Sequence, residues 1–479
     1  MLWLPLALVC ALAADVGMKD TVATKSSEGY PMTQTLAQLS EQMLEAARRV
    51  GADGADAIAV DGTSVSIEVR AGALEHAERA EGVDLGLRVF VGQRQACVSV
   101  SDTNADTIAQ MAQRAVAMAR EAPEDSTCGL ADTEQLAQKW DVEALELQDP
   151  NARPTPKMME ALALEAEAAA LGVAGVSQVQ GASAGYSDTE IYLATSNGFR
   201  GGYSRGGFSV SCAAIAGEGL KMERDYAGEA RNHLADLPDA AGIGQQAGQR
   251  AVERIGATTP PTGAYPVLFD ERISSSLIGH LVSGINGSAI VRGASWLSGD
   301  LGKPVLPKGL SLVENPFRPR IGGSRPFDGE GLPVAQRDVV ADGVLQGWTL
   351  DLATARKLGM QSTGNASRGV SAPPSPSAGN LALTQGADSR DDLIAKMGKG
   401  LLITSLIGAT INPNTGDYSR GAAGFWVENG EIIGPVNGCT IAGNLREMLM
   451  SIQPANDARA HLSRQVPSLL VEGLIIAGA

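Results

Sequence analysis

The sequence predicts an α+β protein, in which a duplicated α/β domain of helix–β-meander–helix units precedes a mostly β, barrel- or sandwich-like C-terminal domain. Helical and strand periodicities recur in the same order twice before residue 257, and short glycine-punctuated strands dominate after residue 264. The 479 residues are too many for one hydrophobic core. With 4% aromatic residues and 57 glycines, burial must rest on aliphatic side chains between many turns.

The first unit begins with a helix predicted from about Thr35 to Val50, because apolar residues fall on one face and Gly51 follows as a stop. Three strands with turn signals come next, at residues 63–72, 85–91 and 95–101. A second helix is predicted over residues 105–121, since acidic residues lie near its start and Pro123 follows it. The unit therefore has the order helix, meander, helix.

A similar unit recurs further along the chain. A helix rich in Ala, Glu and Leu is predicted from Pro156 to Leu171, and Gly172 closes it. Two strands follow, at residues 190–199 and 207–217. The Asn197-Gly198 pair is a strong hairpin signal, and a last helix is predicted from about Asp239 to Ile255. The recurrence predicts a duplicated α/β layer.

The domain boundary is predicted at residues 258–263, where prolines coincide with a change of composition. We therefore expect an α/β domain over residues 32–257 and a β-rich domain over residues 264–479. In the second domain a helix is predicted over residues 273–290, and the residues that follow are mostly short strands. The segment over residues 364–380, rich in Ser, Pro and Gly, is predicted to be a mobile surface loop.

The N-terminal residues 1–31 form a separate extension. Residues 2–14 are apolar and end in a small-residue pattern like that of a signal peptide, but the usual positively charged region is missing. The apolar run is too short to span a membrane. A start codon assigned too far upstream, with Met18 or Met32 as the real start, is the interpretation that we favour.

Charge and cysteine usage exclude several classes of protein. The formal net charge is −16 and no run of Lys or Arg stands out, so neither nucleic acid nor an anionic membrane is an expected partner. The five cysteines are scattered and no two form a CxxC pair. That pattern predicts reduced thiols and a cytoplasmic location.

The sequence offers few metal ligands. Its four histidines are His76, His233, His280 and His461, and no two lie within twenty residues of each other. A catalytic zinc site needs three protein ligands and an open position, and no HExxH motif occurs. His280 lies at the edge of an apolar helix face, which is more typical of a core or interface residue with one hydrogen bond than of a ligand. We therefore predict no metal site in this chain and assign no catalytic residue.

Three polar, glycine-rich segments of the β-rich domain could carry binding chemistry, at residues 324–331, 365–368 and 414–421. An arginine paired with carboxylates can position a peptide terminus, but it can equally lock a turn through salt bridges. Both interpretations stay open. The candidate substrate- or interface-binding residues are Arg325, Asp328, Glu330, Asp417, Tyr418 and Arg420.

The same segments carry a family resemblance. GSRPFDGEG at residues 323–331, DLATARKLG at 351–359, GDYSRGAAGFWVENGEI at 416–432 and IAGNLREML at 441–449 together resemble the C-terminal domain of the TldD/PmbA family. Segments of the N-terminal half agree, so the resemblance extends from about Leu36 to Ala479. It favours the PmbA (TldE) branch, which lacks the HExxxH zinc motif of TldD-type chains.

Alignment with the TldD-type helix explains that assignment. Anchored on Gly287, it places Ile278 and Ser283 at the two histidine positions and Gly279 at the glutamate position. His280 is out of register with either ligand. In TldD-type chains a later cysteine completes the site, but Cys439 lies too early to replace it.

The resemblance implies a cytoplasmic heterodimer whose TldD-type, zinc-binding subunit performs proteolysis. This chain would help to enclose a chamber that admits unfolded peptides, including precursors of peptide antibiotics, and would hold no cofactor itself. An apolar helix face left without metal ligands would need a partner to cover it. Two alternatives remain: a stand-alone binding or regulatory module, and an independent hydrolase built from Asp328, Glu330 and Asp417.

Overall fold

The structure is a computed structural model that describes residues 34–152 and 154–478. The predicted extension at residues 1–31 lies outside the described residues. The remaining chain forms a six-stranded antiparallel sheet with four helices, followed by a region built around a five-stranded barrel. No helix among the described residues is long and apolar enough to cross a membrane.

The bounds of the regular elements are as follows. The helices are α1 (Leu36–Arg49), α2 (Ala105–Glu121), α3 (Pro156–Leu171), α4 (Ala240–Glu253), α5 (Glu271–Gly284), α6 (Gly287–Val291), α7 (Leu352–Leu358), α8 (Arg390–Met397) and α9 (Leu445–Met450). The strands of the first half are β1 (Gly54–Arg70), β2 (Ala73–Val91), β3 (Arg94–Val100), β4 (Val176–Thr195), β5 (Arg200–Ala216) and β6 (Glu223–Arg231). The longer strands of the second half are β7 (Gly263–Phe269), β14 (Gly400–Ile411), β15 (Asp417–Glu428), β16 (Glu431–Asn444) and β19 (Leu469–Gly478). The short strands are β8 (Leu312–Glu314), β9 (Arg337–Ala341), β10 (Val344–Leu345), β11 (Ala366–Ser367), β12 (Ser375–Pro376), β13 (Leu381–Leu383), β17 (Gln453–Pro454) and β18 (Arg464–Gln465).

Local signals explain the helix ends. Thr35 accepts a hydrogen bond from the Gln38 backbone N–H, and the Gln38 side chain returns one, which completes a capping box before α1. At the start of α3 the Thr155 side chain accepts a hydrogen bond from the Met158 backbone N–H, and Pro156 occupies the first helical position, where its missing N–H has no cost. These contacts lie within four residues, so the sequence predicted both helices closely.

The N-terminal sheet confirms the duplicated helix–meander–helix arrangement. Its strand order is β3-β2-β1-β4-β5-β6, so two three-stranded meanders meet where β1 pairs with β4. The apolar faces of α1 and α2 pack on the first meander, and those of α3 and α4 pack on the second. Each half buries its own helix pair against its own strands, which accounts for the recurring sequence pattern.

The strands of this sheet are longer than predicted, and β6 was not predicted at all. Residues 73–82 of β2 are exposed and carry several charged residues, so they lack the alternation that indicates a half-buried strand. They nevertheless pair with β1 along their length, apart from one register shift near Glu68. Backbone pairing with β1 therefore determines this exposed part of β2. Sequence periodicity reflects burial and does not reveal such pairing.

The C-terminal region resolves the choice between barrel and sandwich in favour of a barrel. Strands β7, β14, β15, β16 and β19 form a closed ring, because β16 pairs with β19 as well as with β15. Closure removes the exposed strand edges of an open sheet. A second sheet, ordered β10-β9-β8-β13-β18, lies in the same region, and α5 packs into the shared core.

Two predictions for this region were wrong. The helix expected over residues 273–290 is divided, because α5 ends at Gly284 and the Asn286 side chain caps α6 by accepting from the Ser288 backbone N–H. The segment over residues 364–380 is not a surface loop along its length. It forms the β11–β12 hairpin, and the Arg368 side chain in it is 1% exposed.

The contact between α3 and α4 generates a stability prediction. A Cβ atom at Gly244 would lie 1.9 Å from the Ala166 carbonyl oxygen, so Gly244→Ala should lower the free energy of unfolding by about 1–3 kcal/mol. The matched control is Gly242→Ala on the same helix, where the nearest atom is 3.9 Å away. That control should be neutral or stabilising by up to about 1 kcal/mol. Urea unfolding followed by circular dichroism would measure both, and equal effects would contradict the packing argument.

Candidate functional site

Helix α5 contains the three positions that resemble a vacated zinc motif. Ile278 is 0% exposed and lies in the C-terminal core. The Ser283 hydroxyl donates to the Gly279 carbonyl oxygen at 2.9 Å, within the helix. A Cβ at Gly279 would lie 3.2 Å from Nη1 of Arg464. An aliphatic side chain, a hydrogen atom and an engaged hydroxyl do not form a zinc ligand set, so these residues do not fit the metal.

His280, the residue after Gly279 on α5, is partly buried and contacts the barrel. Its ring contacts the Tyr418 ring edge-on, with centroids 5.7 Å apart, and its Nε2 atom finds no hydrogen-bond partner among the described residues. Burial, with a contribution from the nearby Arg420 charge, lowers the pKa of His280 to about 4. The imidazole is therefore neutral at physiological pH, and an aromatic contact takes the place of the expected hydrogen bond.

The apolar face of α5 is covered by the chain itself. Leu277, Ile278 and Leu281 are buried in one core with residues of the barrel and of the second sheet. The expectation that this helix face needs a partner to cover it was therefore wrong. The less buried side chains of α5 include the small polar residues Ser275 and Ser283.

Acidic, histidine and cysteine side chains are dispersed. Within residues 34–152 and 154–478, no three of them are grouped so that they could hold a metal ion. The four cysteines of this part of the chain are free thiols. His461 pairs with Glu229 at 3.1 Å, and His233 Nε2 lies 3.0 Å from the Glu146 carbonyl oxygen, so both contact groups close by.

Residues 181–185, GASAG, match the GxSxG spacing that is typical of serine hydrolases. That motif acts only when its serine lies on a sharp strand-to-helix turn. Ser183 instead lies inside β4, and its hydroxyl is 2.9 Å from the Ser211 hydroxyl of β5. The motif is therefore part of the sheet, and it carries no nucleophile.

Asp328 and Glu330 organise a buried loop. Asp328 accepts hydrogen bonds from the backbone N–H groups of Glu330, Leu332 and Ala366, which uses both of its carboxylate oxygens. Glu330 accepts from the Leu352 backbone N–H at 2.9 Å, at the first residue of α7. Both carboxyl groups are buried. Their contacts match the structural interpretation, in which the loop is locked by its own acids.

The two carboxyl groups differ in protonation. Burial raises the pKa of both, and their proximity keeps them from ionising together. The three N–H donors favour the charged form of Asp328 and limit its pKa to about 6, whereas burial and the Asp328 charge raise the pKa of Glu330 to about 8. Asp328 is therefore the ionised partner at neutral pH, and Glu330 holds the proton.

Arg325 lies near the same loop but contacts a different acid. Its guanidinium is 3.6 Å from the Glu314 carboxylate, which also binds Arg337 at 2.8 Å. It also donates hydrogen bonds to the carbonyl oxygens of Gly364 and Ser377, at 3.2 and 3.4 Å. These contacts of Arg325 are long, and the residue also lines the second cavity described below.

Asp417, Tyr418 and Arg420 lie on β15 of the barrel, apart from the Asp328–Glu330 loop. Asp417 accepts hydrogen bonds from the Thr415 hydroxyl and the Asn444 side chain, and Arg420 donates to the Gly408 carbonyl oxygen at 2.6 Å. The ring of Tyr418 is buried against His280. These contacts join neighbouring strands and turns of the barrel, so the structure does not bring the two sets of candidates together.

A buried ion cluster that sequence analysis did not identify joins the N-terminal sheet to the C-terminal region. Asp56 of β1 accepts from Nε of Arg88 at 2.7 Å and from the guanidinium of Arg368, which lies 312 residues further along the chain. All three side chains are almost completely buried. The sequence signal that could have predicted this cluster is the presence of Asp56 and Arg88 within otherwise apolar strand segments. A charged residue in a core strand needs a partner of opposite charge.

Two cavities flank this cluster. The first, of about 350 Å³, is lined by Arg88, Glu330 and Asp351 among others. The second, of about 480 Å³, lies between the N-terminal sheet and loops of the C-terminal region, and its lining includes Arg325 and Arg368. The second cavity is the candidate site because guanidinium groups converge on it.

Comparison with known proteins identifies the class to which this fold belongs. Sequence profiles of the PmbA/TldA metallopeptidase family match domain 1 over residues 55–119, the central domain over 147–255 and the C-terminal domain over 262–478. These matches cover more than half of the chain. The chain belongs to the PmbA/TldD metallopeptidase family, in agreement with the resemblance drawn from its sequence.

Individual relatives place the chain in the PmbA (TldE) branch. Metalloprotease PmbA of Escherichia coli O157:H7 is 36% identical over 428 residues, which is 89% of this chain and 92% of that protein. A candidate modulator of DNA gyrase from Bacteroides thetaiotaomicron VPI-5482 has a TM-score of 0.85 at 27% identity, covering 92% of this chain and 98% of that one. TldE of Thermococcus kodakarensis, at 20% identity, has the same fold, with a TM-score of 0.80 and coverage of 92% and 100%.

The ion cluster generates a stability prediction. Asp56→Ala would leave the Arg88 and Arg368 guanidiniums buried without their carboxylate, so the free energy of unfolding should fall by about 3–5 kcal/mol. The control is Glu45→Ala, which removes an exposed helix pair with Arg49 and should change stability little. Urea unfolding would measure both, and a small effect of Asp56→Ala would show that the cluster contributes little to stability.

The proton on Glu330 generates a pH prediction. Its pKa is about 8 in the folded chain and about 4.3 in an unfolded one, so between these values the folded state binds more protons and stability falls as pH rises. Glu330→Gln keeps an acceptor for the Leu352 N–H and removes the titration. Its stability relative to wild type should therefore grow from pH 5 to pH 8, by up to about 1.4 kcal/mol per pH unit. Urea unfolding at four pH values would measure this, with the exposed Glu134→Gln as control, and a pH-independent difference would contradict it.

Proposed function

We propose that this chain is the non-catalytic, PmbA/TldE-type subunit of a heterodimeric zinc metallopeptidase. In this proposal a TldD-type partner holds the zinc ion and performs peptide-bond hydrolysis. The complex acts in the cytoplasm on unfolded peptides, including precursors of peptide antibiotics. The present chain holds no cofactor and shapes the chamber in which the peptide lies.

The local structure of α5 carries this proposal. The two positions aligned with histidine ligands are a fully buried isoleucine and a serine bonded within its own helix, Ile278 and Ser283. The position aligned with the catalytic glutamate is Gly279, beside the Arg464 guanidinium. A cation at this place would repel a metal ion. These residues therefore favour the hypothesis that the chain is a supporting subunit over the hypothesis that it is itself a metalloenzyme.

Three observations support a partner subunit. The relatives are named metalloproteases, the fold is that of a TldE, and the barrel exposes aliphatic side chains. Ile407, Ile433 and Ile475 on its strands are 66%, 61% and 50% exposed. A subunit contact that covers these side chains would remove them from water.

The alternative of an independent hydrolase finds less support. Asp417 lies on the barrel, in hydrogen bonds with Thr415 and Asn444, and Asp328 has both oxygens engaged by backbone N–H groups. Asp328 and Glu330 are buried and Asp417 lies apart from them, so the three do not form one catalytic site. A stand-alone binding module remains the second hypothesis. The presence or absence of a functional partner distinguishes this hypothesis from the proposed peptidase subunit.

Zinc content and peptidase activity test the proposal. The purified chain alone should contain no stoichiometric zinc and cleave no unfolded peptide, and its mixture with a TldD-type subunit should be active. Substituting a histidine in the partner's HExxxH motif should abolish both the zinc and the activity. Atomic absorption and cleavage of a fluorogenic peptide are the two measurements.

Any of three results would contradict the proposal. Stoichiometric zinc in the isolated chain that is lost in His280→Ala would show that the chain has its own metal site. Activity of the TldD-type subunit that is unchanged by this chain, with no complex formed, would favour the stand-alone binding module. Chelator-resistant cleavage by the chain alone would favour an independent hydrolase.

A further inference from the structure

The second cavity described above has an unusual balance of charge. Four arginines line it, Arg205, Arg325, Arg368 and Arg464, and its one acidic lining residue is Asp328. Both oxygens of Asp328 already accept backbone hydrogen bonds. The cavity therefore has a strong excess of positive charge, although the whole chain carries a net charge of −16.

The arginines differ in how far protein carboxylates neutralise them. Arg368 is paired with Asp56, and Arg325 shares Glu314 with Arg337. Within the described residues, Arg205 and Arg464 form no ion pair. Arg205 donates one hydrogen bond, to the Ser324 carbonyl oxygen at 2.7 Å. Two guanidinium charges in the cavity are thus left without a carboxylate.

Buried donor groups point to the same conclusion. The Nε atoms of Arg205, Arg325 and Arg368 are buried and have no hydrogen-bond partner among the described residues. The Arg368 side chain is 1% exposed, so bulk water does not hydrate it fully. A buried N–H without a partner costs free energy, and an anionic ligand in the cavity would satisfy it.

Part of the cavity lining is apolar. It consists of side chains from β1, β4 and β5 together with one aromatic ring of the C-terminal region: Ile58, Val60, Ile191, Leu193, Tyr203 and Phe327. The volume of about 480 Å³ is within the range of small-ligand pockets, about 300–1,000 Å³. A ligand that matches both the arginines and the apolar side chains combines a carboxylate with an apolar group.

We propose that this cavity binds the free C-terminal carboxylate of a peptide whose last side chain is apolar. The inference rests on the proposed function, in which the complex acts on peptides. Guanidinium groups form paired hydrogen bonds with a carboxylate and repel the ammonium group of a peptide N-terminus, so the cavity selects one end of the chain.

The position of Arg464 connects this cavity to the rest of the cleft. A neighbouring cavity, also of about 480 Å³, shares Arg205 and Arg464 with it and extends to Ser275 on α5. Arg464 also lies beside Gly279, where the TldD-type motif has its glutamate. The remainder of a bound peptide would therefore extend from the carboxylate pocket into this neighbouring cavity, toward Ser275 of α5.

Calorimetric titration of the isolated chain tests the proposal. The probe is N-acetylated alanyl-alanyl-leucine with a free carboxylate, compared with the same tripeptide carrying a C-terminal amide. The free acid should bind at least about tenfold more tightly, since charge-assisted hydrogen bonds are lost in the amide. Arg464→Gln should weaken binding of the acid about tenfold and leave binding of the amide unchanged.

A matched control separates local from general charge effects. Arg292→Gln makes the same change of net charge at an exposed residue that does not line this cavity, so it should leave affinity unchanged. Because Arg464 forms no ion pair among the described residues, Arg464→Gln should fold, which circular dichroism would verify. Arg205→Gln provides a second variant of the same kind.

Three outcomes would overturn the proposal: equal affinity for acid and amide, no binding of either, or an equal loss of affinity in Arg292→Gln. Competition by inorganic phosphate as strong as by the tripeptide would also overturn it in favour of a general anion site. The titration uses neither zinc nor a partner. A failure here with an active mixture of subunits would therefore leave the proposed function in place.

Discussion

The pairing of Asp56 with two arginines is the contact on which the arrangement of the molecule depends. Asp56 and Arg88 belong to adjacent strands of the N-terminal sheet, whereas Arg368 comes from the β11–β12 hairpin of the C-terminal region. Charges removed from water are stable only when they are paired closely, so this cluster defines one relative position of the two parts. The cleft between them takes its shape from that position.

The acids around the cluster follow from the same constraint. Two guanidiniums face one carboxylate, and the Arg88 charge also interacts with Glu330 and Asp351 at the start of α7. Asp328 retains its charge because backbone N–H groups surround it, and Glu330 beside it keeps a proton. The loop over residues 324–331 is thus an internal support for the domain junction. Its two acidic residues stabilise the fold, and Arg325 and Asp328 both line the second cavity.

Helix α5 shows how one fold can carry different chemistry. Its buried side is filled by aliphatic residues, which keeps the helix in the core without any metal. Its opposite side bears Gly279, where the absence of a side chain leaves space for Arg464. The Arg464 guanidinium therefore lies beside the position at which the resemblance places a catalytic glutamate. The geometry therefore agrees with a change of role from hydrolysis to binding of an anionic group.

The sequence alone determined the features that depend on near neighbours. Thr35 and Thr155 cap helices, Asn197-Gly198 forms a hairpin, and the α5 segment lacks zinc-ligand residues at the aligned positions, because each depends on a few consecutive residues. Only the tertiary structure decided the pairing of Asp56 with Arg368, the burial of the Arg368 side chain and the convergence of Arg205, Arg325 and Arg464 on one cavity. These groups come from distant parts of the chain, and the free energy of burying a charge depends on what folding places beside it. Local sequence patterns contain no record of that proximity.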